Sequence, residues 1–276
     1  MTYSVIHLYK DALPKTNCGD CGVPTCLAFA SKVILEKAPL SGCPHVPADQ
    51  AAELQQRIDA QQSRGEGTVP DMAADAMQWA RERATSMRLQ DLPARIGGTL
   101  EQRDTGEEVV RLPYFDTEVL VCGDPIDRVE RADGRDLNRW EQVLLFNHLA
   151  QGGRREPTGT WIGLGELPSS TSKVVSLRDE VERPLATTFD GRLDALRARA
   201  AALGAHDAGD ALPSADVALV FRPLPRVPVA LLFWDGDAEE GFEARVKLLF
   251  DATVNEHLDI ESIVFLGEQL RARLEG

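Results

Sequence analysis

The sequence predicts an α+β protein in two parts: a small helical domain, then a larger mixed α/β domain with a mainly antiparallel sheet. Three observations lead there. Four of the five cysteines crowd into the first fifty residues. Charge changes character near residue 50: before it stand Lys10, Lys15, Lys32 and Lys37, balanced by Asp11, Asp20, Glu36 and Asp49, with no arginine. After it arginine dominates, and the only lysines are Lys173 and Lys247. From about residue 109, short apolar runs of strand length alternate with longer stretches at helical spacing. The expected organisation is a first domain over 1–60, a linker over 61–70 and a second domain over 71–276.

The chain has 276 residues, of which 43% are apolar and 27% charged, as expected for a globular protein of one small and one medium domain. No apolar run approaches the roughly 20 residues that span a bilayer, and the start lacks a basic segment leading into an apolar one. The expectation is a cytoplasmic protein without membrane insertion. The net charge of −14 lies wholly in residues 51–276. Phosphate backbones and anionic membranes repel such a surface, so nucleic-acid binding is not expected, while basic protein partners stay open.

The elements follow in order. Pro24 or Thr25 should start a helix with Leu27, Ala30, Val33 and Ile34 as its buried stripe, stopped by Pro39. Gln61–Asp71, polar with two glycines and a proline, reads as the linker. A helix is expected from Asp71 to Met87, with Met72, Ala76, Trp79, Ala80 and Arg83 at helical spacing. Val109–Leu112 and Glu118–Cys122 read as strands, and Asp133-Gly134 as a hairpin-like turn. Leu137–Ala150 reads as an amphipathic helix ended by Gly152-Gly153. Thr160–Leu164 reads as a strand, Leu185–Leu203 as helical, and Val217–Phe221 and Val227–Trp234 as strands. Pro223, Pro225 and Pro228 should make the connection between those two strands irregular. Phe242–Phe250 and Ile260–Leu274 are expected as closing helices.

The chemistry is concentrated in Asn17-Cys18-Gly19-Asp20-Cys21-Gly22-Val23-Pro24-Thr25-Cys26, completed by Cys43-Pro44. The spacing is C-x2-C-x4-C-x16-C. Clustered cysteines in a cytosolic chain point to metal or redox chemistry rather than disulfides. A [4Fe–4S] cubane takes four thiolates, one per iron, and three can come from a tight loop whose glycines, Gly19 and Gly22, let backbone N–H groups approach the sulfurs. Cys26 would sit in the first helical turn, where the positive end of the helix faces an anionic cluster. The x16 gap fits one helix and its return. About eleven helical residues travel roughly 16 Å, and the extended steps to Cys43 recover roughly 20 Å. Four thiolates also make a tetrahedral zinc site, although zinc sites usually pair two short knuckles. Zinc therefore stays open as the alternative, and disulfides as a third.

Leu13-Pro14-Lys15-Thr16-Asn17, followed by CGDCGVPTCLAFA and Cys43-Pro44, resembles the [4Fe–4S] domain at the N-terminus of the corrinoid iron–sulfur protein large subunit. A similar motif occurs in an electron-transport component of Rnf-type complexes. The resemblance spans about residues 1–50. It implies that Cys18, Cys21, Cys26 and Cys43 bind a [4Fe–4S] cluster, and that the cluster passes an electron to a corrinoid, restoring Co(I) from Co(II). The corrinoid-binding barrel of that family does not follow, because residues 71–276 lack the repeated strand–helix units of a TIM barrel. They resemble instead a domain of unknown function, number 3786, found behind this motif in anaerobes.

Other residues invite bland readings. Cys122 lies in an expected strand and reads as a buried thiol. His45 should lie near the cluster as a surface histidine that could couple protonation to reduction. Trp140, Trp161 and Trp234 read as core. Asp235-Gly236-Asp237 with Glu239 and Glu240 reads as a turn after a strand, without the full calcium-loop pattern. His148, His206 and His257 share no metal spacing, and Gly163-Leu164-Gly165 lacks the third glycine of a dinucleotide site. The reading reached is an oxygen-sensitive iron–sulfur electron-transfer protein of anaerobic metabolism. Its redox partner would be a corrinoid protein or another low-potential enzyme. Two alternatives remain: a redox enzyme whose active site lies in the C-terminal domain, and a binding or assembly module with a structural cluster.

Overall fold

The structure, a computed structural model, describes residues 4–23, 25–35, 37–63, 72–209, 212–237 and 239–276. Its internal contacts divide the chain into two compact units, Met1–Asp75 and Ala76–Gly276, each with a core of its own. The division falls in the first turns of a helix, Met72–Ala84 (α4). That helix ends three residues before the expected stop at Met87. Ala80 and Ala84 are its buried side, while Trp79 faces out with Arg83 stacked over it.

The first unit is helical. Val5–Asp11 (α1) starts at Ser4, whose hydroxyl accepts from His7 N, as the small polar cap of a helix does. Cys26–Leu35 (α2) presents Phe29, Ala30, Val33 and Ile34 to the core. Pro24, one of the two starts expected for this helix, lies outside the described residues, as does the side chain of Leu27. Beyond the helix Lys37 takes a left-handed conformation (φ 58°), and Ala38 N donates back to Lys32 O in the last turn at 3.1 Å. A short 3₁₀ turn, Leu40–Gly42, leads to Ala48–Ser63 (α3). Ala51, Leu54 and Ile58 form the buried stripe of α3, and Gln61, in the expected linker, is buried near its end. The linker residues 64–71 lie outside the described residues.

The second unit is α+β. After a one-turn helix, Leu92–Ile96 (α5), four strands form an antiparallel meander: Thr99–Gln102 (β1), Glu108–Tyr114 (β2), Thr117–Cys122 (β3) and Arg128–Arg131 (β4). The turn expected at Asp133-Gly134 is present, Gly134 N donating to Arg131 O at 3.2 Å, although it joins no two strands; β3 and β4 are connected through Gly123 (φ 88°), which leaves no room for a Cβ against Asp127 and Pro125. Asp133-Gly134 leads from β4 towards Arg139–Gln151 (α6).

The second sheet runs in the order β5-β9-β8-β7-β6, antiparallel throughout: Trp161–Gly163 (β5), His206–Asp207 (β6), Val217–Leu224 (β7), Val227–Trp234 (β8) and Arg245–Asp251 (β9). The expected helix over Phe242–Phe250 is a correction. Residues from Arg245 form β9, because Val246, Leu248 and Phe250 point into the core at the period of two that defines a strand. Phe242 lies in the turn before it, bridged to Asp237. Pro223 lies inside β7 and Pro228 inside β8, only Pro225 stands in the two-residue connection, and the irregularity falls inside β7, where the register shifts between Phe221 and Leu224.

Helices pack on the core face of this sheet: Thr171–Leu177 (α7), Arg183–Phe189 (α8), Leu193–Ala202 (α9) and Ile260–Glu275 (α11), with a short Val254–His257 (α10). The helical region expected over 185–203 holds most of α8 and all of α9, separated at Asp190–Arg192. α7 and α8 are continuous through a π-helical turn, Arg178–Glu182, which turns Glu182 inward so that it accepts from Leu248 N on β9 (3.0 Å). The amphipathic pattern expected of α6 is not what the fold uses. The helix is buried nearly all round from Val143 to Leu149, because a helix inside a larger core needs no solvent stripe. Trp161 and Trp234 are partly buried, whereas Trp140 is 37% exposed and leans on Phe265, so it is not core.

Candidate metal centre

The three-cysteine loop is shaped by its backbone. Lys15, Asn17, Gly19 and Gly22 all take left-handed φ (62°, 51°, 81° and 80°). Three of these alternate with ordinary residues. Runs of this kind turn successive N–H groups towards one concave side, the form that receives phosphates and iron–sulfur clusters. Glycine tolerates this conformation freely and asparagine better than most residues. Gly22 N closes the turn on Gly19 O at 2.8 Å.

Asn17 ties the loop to α2. Its side-chain oxygen accepts the N–H of Cys26 at 2.9 Å. Thr25 caps the same helix, its hydroxyl accepting from Ala28 N at 3.1 Å. Two of the orphan N–H groups of the first turn are thereby satisfied, and Cys26 is fixed at the positive end of the helix. Cys43 arrives through the 3₁₀ turn, its N–H donating to Leu40 O at 3.2 Å. That turn is held from α3, since Leu40 N donates to Gln55 Oε1 at 2.8 Å.

The four thiols are graded in exposure. Cys26 and Cys43 are buried in the core of the unit, Cys21 is half-buried, and Cys18 is exposed. All are free thiols. Four thiolates suit a cubane, one per iron, and a tetrahedral zinc ion alike.

His45 Nε2 lies 2.7 Å from Asp20 Oδ2, linking the loop to the segment that carries Cys43. This hydrogen bond, and a second from Cys18, hold the Asp20 carboxyl below its usual range. Cys18, Asp20 and His45 bring one ligand atom each to within 4.8 Å of one another, all three exposed, and could hold a single cation at the loop surface. Sequence reasoning places His45 near the cysteines but misses its pairing with Asp20, and it misses Asn17 and Gln55 as supports. The left-handed tolerance of asparagine next to a cysteine is the one available signal for Asn17.

The remaining candidates are structural. Cys122 is fully buried on β3, its thiol directed at Leu120 O (3.7 Å), and burial pushes its pKa up. Asp237 accepts from Glu239 N and Glu240 N, which makes the acidic stretch a turn. His148 and His257 do meet, although their spacing gives no hint of it. Both are fully buried, with ring centroids 6.2 Å apart. His148 Nδ1 bonds His257 O at 3.0 Å, and His257 Nε2 bonds Arg155 O at 2.9 Å.

Comparison with known proteins agrees with this layout. Residues 13–45 match the family described as "Putative Fe-S cluster", so the first unit carries an iron–sulfur cluster domain. The N-terminal part is 51% identical over 53 residues to the corrinoid/iron–sulfur protein large subunit of Moorella thermoacetica, covering 19% of this chain and 11% of that protein. It is 56% identical over 41 residues to acetyl-CoA decarbonylase/synthase complex subunit gamma 1 of Methanosarcina thermophila, covering 15% of this chain and 8% of that one. This chain therefore spans about a tenth of the length of these relatives. No solved structure matches it. An iron–sulfur domain joined to an α+β domain is thus the class of protein. Residues 88–273 match one further family, and the chain belongs to it: the family described as "Domain of unknown function (DUF3786)". Among the described residues no helix is long and apolar enough to cross a membrane.

Proposed function

We propose that Cys18, Cys21, Cys26 and Cys43 hold one [4Fe–4S] cluster, and that the protein transfers single electrons to a redox partner in anaerobic one-carbon metabolism. The observation that carries the ligand set is the loop itself. Three cysteines lie on a run of left-handed turns at the positive end of α2, and the segment that carries the fourth is tied to that loop by the hydrogen bond between His45 and Asp20. Bound there, the cluster would supply one-electron chemistry. The protein's part is to hold the thiolates, to offer backbone N–H groups to the anionic core, and to keep water from the Cys26 and Cys43 side. Cys18, exposed at the surface, marks the edge through which an electron would leave.

The partner class comes from the relatives. Two of them are named as a corrinoid/iron–sulfur subunit and an acetyl-CoA decarbonylase/synthase subunit. A corrinoid protein, or another low-potential enzyme, is accordingly the partner proposed here. After anaerobic purification the protein should contain about four irons and four acid-labile sulfides per chain. Cys18→Ser, Cys21→Ser, Cys26→Ser and Cys43→Ser should each lose or degrade the cluster, and Cys122→Ser should keep it. Stoichiometric zinc without iron in anaerobically prepared protein would refute the cluster. Stopped-flow mixing of the reduced protein with a Co(II) corrinoid protein should reoxidise the cluster faster than buffer does. An equal rate would refute the partner.

A further inference from the structure

The second unit contains a trough of about 370 Å³ across one end of the five-stranded sheet, on the face away from the helices. That volume lies within the usual range for small-molecule sites. Trp161 and Pro157 form one side, Pro228 and Val220 the floor, and Arg222 and His206 the other side. We propose that this trough binds a small planar anion, a one- or two-ring compound carrying a carboxylate or a phosphate.

Its wall is held rigidly. Asp251, 1% exposed, accepts from Gly159 N (2.7 Å), Thr253 N (3.0 Å) and Thr253 Oγ1 (2.8 Å), with Thr158 Oγ1 at 3.4 Å. These bonds consume the carboxylate's acceptor capacity and pin the 158–159 segment against β9. Asp207, the other acid of the trough, faces Arg197 at 3.2 Å. Arg222 is not similarly consumed. Arg222 has no carboxylate or hydrogen-bond partner among the described residues, in a chain whose net charge is −14 and where most arginines are paired. It sits where β7 loses its register, and β6 pairs with β7 only as far as Val220. Bulges next to sites commonly re-aim a side chain in this way.

A larger cleft of the unit, about 640 Å³ between α8 and Phe242, differs in this respect. Its Arg183 is paired with Asp179, and its Asp190 accepts from Gly236 N. In the trough, three strand spacings of roughly 14 Å in all separate the Trp161 and Arg222 backbones. An indole, a ring-sized ligand and a guanidinium fill that gap together. The ring would lie against Trp161 and Pro228, with its anionic group received by Arg222, which presents a planar fork of donors to carboxylate or phosphate.

The test is calorimetric titration of the full-length protein with benzoate, phenyl phosphate and neutral benzyl alcohol. At least one aromatic anion should bind at one site per chain, and benzyl alcohol should not. Which anion binds tells a carboxylate from a phosphate. Arg222→Gln should weaken binding at least tenfold, Arg222→Lys less, and Trp161→Leu should weaken it too, while Trp234→Leu leaves it unchanged. Equal thermal unfolding of the variants would show that they are folded. Absence of saturable binding for both anions, or unchanged affinity in Arg222→Gln, would overturn the proposal.

Discussion

At the scale of single residues, the two buried histidines set a pH dependence. Burial lowers the pKa of His148 from 6.5 to about 4, and burial lowers that of His257 as well. Burial therefore favours the neutral imidazole of both in the folded protein. A base whose folded pKa is depressed contributes stability that is fully present above its unfolded value of 6.5. That contribution is lost as pH falls towards 4. For His148 the full loss is on the order of 3 kcal/mol. All four tryptophans, Trp79, Trp140, Trp161 and Trp234, lie in the second unit, so their fluorescence reports its unfolding. Urea titrations at pH 7.5, 6 and 5 should show stability falling with pH, and His148→Gln should flatten that slope. Asn17 is the second residue whose weight exceeds its size. Asn17→Ala removes the acceptor of Cys26 N and puts a Cβ-bearing residue with no such side-chain bond in a left-handed position. Chelator-driven loss of iron from the reconstituted protein should be several-fold faster in this variant. Asn17→Asp, which keeps the acceptor, should lose iron more slowly than Asn17→Ala.

At the scale of elements, α6 and α11 are joined by a buried ion pair. Glu141 is 5% exposed and belongs to a capping box with Asn138, their mutual hydrogen bonds both 2.9 Å. Its other oxygen meets Arg273 of α11. The guanidinium of Arg273 in turn lies over Phe115, 4.3 Å from the ring centroid, and near Tyr114. One arginine thus connects two helices with the turn between β2 and β3. Removing one member of such a pair leaves the other buried and uncompensated. Arg273→Leu should therefore destabilise the second unit by about 3–5 kcal/mol, read as a lower urea midpoint at an unchanged slope. The same element shows how polar residues mislead. The α6 sequence carries Glu141, Asn147 and His148, which suggest a wet face. Each of them finds an internal partner, in Arg273, Ser262 and the His257 carbonyl respectively. Polar letters in a helix report solvent only when no other part of the chain answers them.

At the scale of the whole molecule, the two units have separate hydrophobic cores, and the chain segment 64–71 between them is polar. We expect residues 76–276 to fold without the first unit, because boundaries that few contacts cross permit independent folding. The fragment should unfold in one cooperative transition monitored by tryptophan fluorescence. A broad, non-cooperative transition would show that the second unit depends on the first. The same separation explains why the cysteine motif is legible at once while the second unit is not. The motif is local: its spacing, its glycines and its flanking prolines all act within about thirty residues.

Sequence alone determined the α+β class, the four clustered cysteines, and most strands of the second unit, because period and turn chemistry are properties of short stretches. It misleads at Arg245–Asp251, where an apolar-rich run satisfies helical and strand periods alike. Only pairing with β8 and β5 makes it a strand. It passes over α3, whose polar surface hides a stripe of three buried residues, and the π-helical turn that aims Glu182 at β9. Tertiary structure alone decided that Asp20 meets His45, that Gln55 holds the turn before Cys43, that His148 and His257 share one buried space, and that Arg222 opens on a trough beside Trp161. Each of these joins residues from different elements, fifteen or more positions apart. Such contacts arise from packing, and no local period or spacing in the chain encodes them.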